Sequence, residues 1–220
     1  MLIHQFDSLK EAESTVGGLS APSKMPSYAW SISARRCETG SKLAKKEGTV
    51  CYNCYALKGR YMFPMTQNAL ERRFNAWNGD RDKFVDAMIF IMHNKQHIKD
   101  TGVFRWFDSG DLQGLPMLED INNIAWASPH VKMWLPTKEY SLIMTHSLDI
   151  APNLIIRVSQ PNKNKSFKDT QAFDYISAVF EKGALPKDSY ICPSSKQGNK
   201  CGSCRACWST KIKEVVYLAH

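Results

Sequence analysis

Apolar and polar positions run along this chain in two rhythms. "YAWSIS" (28–33), "VFRWFDS" (103–109), "VKMWLPT" (131–137) and "NLIIRVS" (153–159) are rich in β-branched and aromatic residues and predict strands. They alternate with "TQNALERRFNAW" (66–77), "DRDKFVDAMIFIMHNKQ" (80–96), "LPMLEDINNIAWA" (115–127) and "SLIMTHSL" (141–148), which carry the helical spacing. That order predicts an α/β fold, a parallel sheet with crossover helices.

On the second helix Phe84, Met88, Ile91 and Met92 fall on one stripe, the pattern of core packing. A period of two sets Arg105, Phe107 and Ser109 on one face of their strand and Phe104, Trp106 and Asp108 on the other. Arg157 and Ser159 repeat the first pattern. An arginine in an apolar strand is costly to bury unpaired, so Arg105 and Arg157 should each meet a carboxylate such as Asp108 or Asp111, an anion, or a wet cavity. The strands end in polar residues: Asp108, Ser109 and Asp111, then Thr137 and Lys138, then Ser159. In parallel α/β folds this is the edge where ligands bind, which makes Arg105, Asp108, Asp111 and Arg157 candidate site residues. The stretches "GGLSAPSKMPS" (17–27) and "QPNKNKSFKD" (160–169) read as loops, not as domain boundaries, so one domain spanning 1–220 is expected.

Composition adds constraints. The chain has 220 residues, 43% of them apolar, enough for a full core. The opening residues carry acids and no apolar h-region, and "FVDAMIFIM" is far shorter than a bilayer span, so neither secretion nor a membrane partner is expected. Seven cysteines in a reducing cytosol point to metal before disulfides. The net charge of +8 permits an acidic or nucleic-acid partner without identifying one, and the basic residues around Lys42 to Lys46 and Arg72 to Arg73 are interleaved with Glu, as on solvated faces.

The cysteines fall into two segments, 37–54 and 192–207. In the second, Cys192, followed by Pro193, precedes Cys201, Cys204 and Cys207, which stand at intervals of three. Three consecutive ligands at that spacing surround one tetrahedral zinc ion awkwardly. They suit a [4Fe-4S] cluster, in which each thiolate takes a different corner iron. In the first segment Cys51 and Cys54 form one CxxC knuckle, with Cys37 thirteen intervening residues upstream. Three readings stay open there: a second cluster with one open iron, for a substrate or S-adenosylmethionine; a site shared with the C-terminal run; or a knuckle with Cys37 a lone thiol. Trp208 could shield a cluster from water, or simply pack in the core. His93 and His97 stand at i, i+4, but Asn94 occupies the position where a zincin has Glu, so they read as exposed helix residues. The sequence contains no GxGxxG, Walker or GxSxG motif.

Taken together, "CYNCYALKGRYMFP", "FRWFDSGDLQG", "WLPTKEYSL", "PNLIIRVS" and "CPSSKQGNKCGSCRACW" followed by "VVYLAH" resemble the phage gene product 88 family across most of the chain. The resemblance implies a cysteine-rich phage protein of the host cytoplasm. Its implied fold is a partial or distorted (β/α) barrel, distantly like the radical S-adenosylmethionine enzymes, carrying an iron-sulfur cluster. It extends to Cys51, Cys54, Cys192, Cys201, Cys204 and Cys207 and to Asp108, Ser109, Gly110 and Asp111. Two positions depart from the family pattern: Phe107 replaces a histidine, and "CETG" at 37–40 replaces a C-P-G-like turn. The functions in play are electron transfer to a redox partner, an enzyme with a small anionic ligand beside an open iron, and a zinc-stabilised module that binds nucleic acid or another partner.

Overall fold

The computed structural model describes residues 4–167 and 172–219. Helix α1 (Leu9–Thr15) precedes β1 (Ala29–Trp30). A long excursion through α2 (Glu38–Leu43), α3 (Pro64–Gly79), α4 (Arg81–Asn94) and α5 (Gln96–Thr101) leads to β2 (Val103–Trp106). Then α6 (Leu115–Trp126), β3 (Lys132–Thr137), α7 (Tyr140–Thr145) and β4 (Leu154–Ser159) alternate, followed by β5 (Tyr175–Phe180), β6 (Tyr190–Ile191) and β7 (Glu214–Leu218). All seven strands are parallel, in the order β1-β2-β3-β4-β5-β7-β6. Strands β1 and β6 are the two edges, so the sheet is open: an α/β fold with a partial barrel.

Local chemistry sets the helix starts. Ser8 accepts the Glu11 N–H at 3.2 Å to cap α1, Asp80 accepts the Lys83 N–H at 3.0 Å to cap α4, and Pro64 opens α3. The expected stripe on α4 is fully buried at Phe84, Met88, Ile91 and Met92. It packs with Met117, Ile121 and Ile124 of α6 against Trp30, Phe104, Trp106, Met133, Leu135, Leu154 and Ile156 from the outer face of β1 to β4. The helix expected over 80–96 breaks at Lys95, so His93 sits in the last turn of α4 and His97 belongs to α5. Both are exposed and bond backbone carbonyls, those of Ala127 and Pro26. Of the polar stretch 160–169, the last two residues lie outside the described ones. No helix among the described residues is long and apolar enough to cross a membrane.

The inner face is covered by the chain itself. Val103, Trp134 and Val215 receive Ala206, Cys207 and Trp208, with Met25, Cys192, Cys204 and Tyr217 packed around them. The cysteine-rich C-terminal segment therefore fills the inside of the partial barrel.

One expected alternation fails. Strand β2 stops at Trp106, and Phe107 takes a left-handed conformation with φ of 55°. The reversal sends its ring into the same core as Phe104 and Trp106, beside Trp30, and not to the face of Arg105. A bulky residue rarely holds positive φ, and here burial in an aromatic cluster maintains it.

Candidate functional site

Strand β6 delivers the first C-terminal cysteine. The Cys192 N–H donates to the Val216 carbonyl at 2.8 Å, extending the pairing with β7 by one residue. The chain then turns back: the Cys201 N–H meets the Lys24 carbonyl at 2.9 Å and the Cys204 N–H meets the Cys201 carbonyl at 3.0 Å. Cys192, Cys201, Cys204 and Cys207 line one cavity, walled also by Tyr190, Pro193, Trp208 and Val215, with about 280 Å³ of atom-free space counting its open side. Tyrosine hydroxyls stand 3.2 Å from two of the sulfurs, Tyr190 at Cys204 and Tyr217 at Cys207. Burial pushes the Cys207 thiol up to about 11, opposed by the Tyr217 hydroxyl and the Arg157 charge. Burial and the neighbouring Cys192 and Cys204 also raise Cys201. All seven cysteines are free thiols.

Arg157 holds this segment in place. It is fully buried on β4, and its guanidinium donates to six backbone carbonyls: Ile176, Ala206, Cys207, Ser209, Ile212 and Lys213, at 2.8–3.2 Å. Neither the anticipated carboxylate nor an anion site faces it. Its planar fork of five N–H groups is spent on the bend that presents Cys207.

Cys37 and Cys51 lie beyond the carboxyl ends of β2 and β3, within electrostatic reach of Cys54 and of Asp111 and Lys138, which follow those strands. The Cys37 thiol is within electrostatic reach of Asp111, Cys54, Cys51 and Lys138; burial, then the Asp111 charge, raises it well above its ordinary value. Gly40 permits the approach: a Cβ there would stand 2.9 Å from the Cys37 Cβ, 3.6 Å from its sulfur and 3.8 Å from the Cys51 sulfur. Asp111 accepts from the Thr137 hydroxyl at 2.6 Å and from the backbone N–H groups of Lys138 and Leu112 at 2.8 Å each. Burial pushes its carboxyl up to about 6 against those bonds. The preceding turn is built by Gly110 at φ 84°, where a Cβ would fall 2.7 Å from the Ile32 carbonyl oxygen, and by Ser109, which donates to that oxygen at 2.6 Å. Asp108 accepts from the Ser31 hydroxyl and, at 3.0 Å, from the Tyr61 hydroxyl, while its own carbonyl accepts from Tyr55.

Arg105 faces the inside of the barrel. Its guanidinium lies 4.4 Å from the centre of the Trp134 ring and donates to the Phe107 carbonyl at 3.1 Å. Its charge acts on Cys201 and Cys207 of one group and on Tyr55, next to Cys54, of the other. Among the described residues no carboxylate lies within ion-pair distance of Arg105 or Arg157. The structure thus brings Asp108 and Asp111 to the sheet edge, Asp111 within electrostatic reach of Cys37 and Cys51, leaves Arg105 without an acidic partner among the described residues, and takes Arg157 away into a structural cage. Tyr55, Tyr61, Trp134, Tyr190 and Tyr217 complete the two sites and were not anticipated. The only sequence signal for them is tyrosine beside or near cysteine at 55 and 190.

As a test of fit, the C-terminal donor set is four thiols around one cavity, soft ligands of the type iron-sulfur clusters and zinc both take. The buried Trp134 Nε1, in the same cluster as Cys207, has no hydrogen-bond partner among the described residues, a spare donor that a thiolate or sulfide would accept. Among the described residues no three His, Cys, Asp or Glu side chains already converge as a metal-ligand set, so loading would require the sulfurs to lose protons and draw together. The family model described as "Gene product 88" matches residues 5–210, and the chain belongs to that family. No curated protein and no solved structure matches it.

Proposed function

We propose that this member of the Gene product 88 family is an iron-sulfur protein of the host cytoplasm, in which Cys192, Cys201, Cys204 and Cys207 hold a [4Fe-4S] cluster that passes electrons to a redox partner. The observation that carries the reading is the single cavity lined by all four cysteines inside the partial barrel. When bound, such a cluster supplies one-electron chemistry, and ligation by four cysteines closes every iron to substrate. The chain's own part is to shape and shield. Arg157 fixes the bend carrying Cys207, Trp134 and Trp208 wall off water, and the hydroxyls of Tyr190 and Tyr217 bond sulfur, which tunes potential. Arg105 supports a net-negative group nearby, since its charge meets no carboxylate among the described residues.

A second reading rests on a separate observation. Cys37 is within electrostatic reach of Cys51, Cys54 and Asp111 near the carboxyl edge of the sheet, where parallel α/β proteins place their ligands. Three thiolates would leave one iron of a second cluster open to S-adenosylmethionine or a small anionic ligand, and the protein would then be an enzyme. Iron, sulfide and zinc analysis of protein purified without oxygen tests both. About four irons and four sulfides per chain with brown absorption are expected, lost in Cys204→Ser and largely kept in Cys37→Ser. Wild-type iron in Cys204→Ser, or a colourless protein with one zinc, would sink the electron-transfer reading. A further loss of iron in Cys37→Ser, from a starting content near eight, would establish the second centre.

A further inference from the structure

Six of the ten large hydrophobic side chains exposed among the described residues belong to one short stretch, Tyr52, Tyr55, Leu57, Met62, Phe63 and Met65. The stretch makes two short 3-10 turns, Tyr55–Leu57 and Gly59–Met62, before α3 begins. Clustered apolar exposure of this kind marks an interaction surface. Its chemistry is specific. Between Glu47 and Glu71 there is no acidic residue, while Lys58 and Arg60 stand exposed in the turns and Arg35 lies alongside, with Nη2 4.0 Å from the Met62 sulfur.

Two of the rings are also held in place. Tyr55 is 62% exposed, yet its hydroxyl is tied to the Asp108 carbonyl, and its ring meets Tyr61 edge-on at 5.7 Å. Tyr61 is tied to the same Asp108 by its own hydroxyl. A ring that is already immobile loses little entropy when something stacks on its face. Phe63, 59% exposed, has its backbone restricted to the extended region as the residue before Pro64 at the start of α3.

We propose that residues 52–63 form a binding surface for single-stranded nucleic acid, with Tyr52, Tyr55 and Phe63 as stacking platforms and Arg35, Lys58 and Arg60 meeting phosphates. Unpaired bases offer the flat faces that exposed rings take up, whereas the bases of a duplex are already stacked on one another. An acidic peptide would match the charge without using the ring faces, and a second copy of the chain would set like charges against each other. The surface adjoins Cys51, Cys54 and Asp108, so a bound strand would lie across the carboxyl edge of the sheet, but the proposal requires no metal.

The test is fluorescence anisotropy of the full chain with labelled oligothymidylate and oligouridylate of about fifteen nucleotides, in salt from about 20 to 200 mM. Binding is expected to weaken linearly on a log–log plot. Tyr52→Ala and Phe63→Ala should each lower affinity at least about fivefold with the salt slope unchanged. The double variant Lys58→Gln/Arg60→Gln should make the slope shallower by about 1.4, two phosphate contacts on a single strand. All four residues are exposed, so an unchanged melting temperature verifies that the variants fold. Absence of binding at low salt, duplex binding as tight as single-strand binding, or full displacement by polyglutamate would overturn the proposal. So would a dimer that dissociates in Tyr52→Ala.

Discussion

Replacing Arg157 by methionine removes a guanidinium whose donors all end on main-chain carbonyls and leaves those carbonyls in a buried setting. At about 1 kcal/mol net for each of five N–H groups the loss is about 5 kcal/mol. Burying the apolar methionine stem returns about 1–2 kcal/mol, so a net destabilisation of roughly 3–4 kcal/mol is expected. Lysine keeps the charge but offers three donors from a single point, so Arg157→Lys should lose about half as much. Urea unfolding of metal-free protein, compared at equal m-values, reads the global effect. Thiol labelling under native conditions reads the local one: Cys207 is buried in the wild type, and its labelling should accelerate in Arg157→Met far more than that of Cys51, which lies near Asp111 and Lys138 beyond β2 and β3. Midpoints and Cys207 labelling equal to wild type would refute the claim that the carbonyl cage holds the C-terminal segment. An ordered loss from Arg through Lys to Met, with Cys207 exposed in step, would support it.

Two further outcomes are expected. Gly110→Ala places a methyl group 2.7 Å from the Ile32 carbonyl oxygen at a positive φ, and should cost about 2–4 kcal/mol in urea unfolding; a loss under about 1 kcal/mol would mean the turn relaxes freely. Burial raises the Asp111 carboxyl to about 6 from 3.8, so the folded chain holds its proton more tightly than the unfolded one. The group is therefore neutral to stability below about pH 4 and costs increasingly up to about pH 6, roughly 3 kcal/mol in all. In metal-free protein, Asp111→Asn should flatten that part of the stability–pH curve while lowering stability at low pH, since an amide cannot accept all three bonds; an unchanged slope would show that Asp111 titrates normally.

Much of the architecture was legible because periodicity is local. The four strand-like segments became β1 to β4 and the four helical ones became α3, α4, α6 and α7, since apolar spacing in a helix and β-branched or aromatic enrichment in a strand are local signals. Strands β5, β6 and β7 escaped notice. β6 has two residues, and β5 and β7 owe their pairing to neighbours far along the chain more than to a rhythm of their own. The alternation argument failed at Phe107 because one left-handed residue reverses every side chain after it, and nothing in a phenylalanine announces that conformation.

Spacing alone divided the cysteines into the two sets that the structure keeps apart, and composition alone set the positive charge and the absence of an acid between residues 47 and 71. Where those sets lie was decided by the tertiary structure. The crossovers and register carried the C-terminal run into the barrel and brought Asp111 to Cys37, 74 residues away along the chain. The partners of Arg157 were equally invisible, because backbone carbonyls are the same at every position and only folding chooses which six converge on one guanidinium. Side-chain pattern encodes which face of an element is buried; which distant backbone it is buried against depends on the assembled sheet.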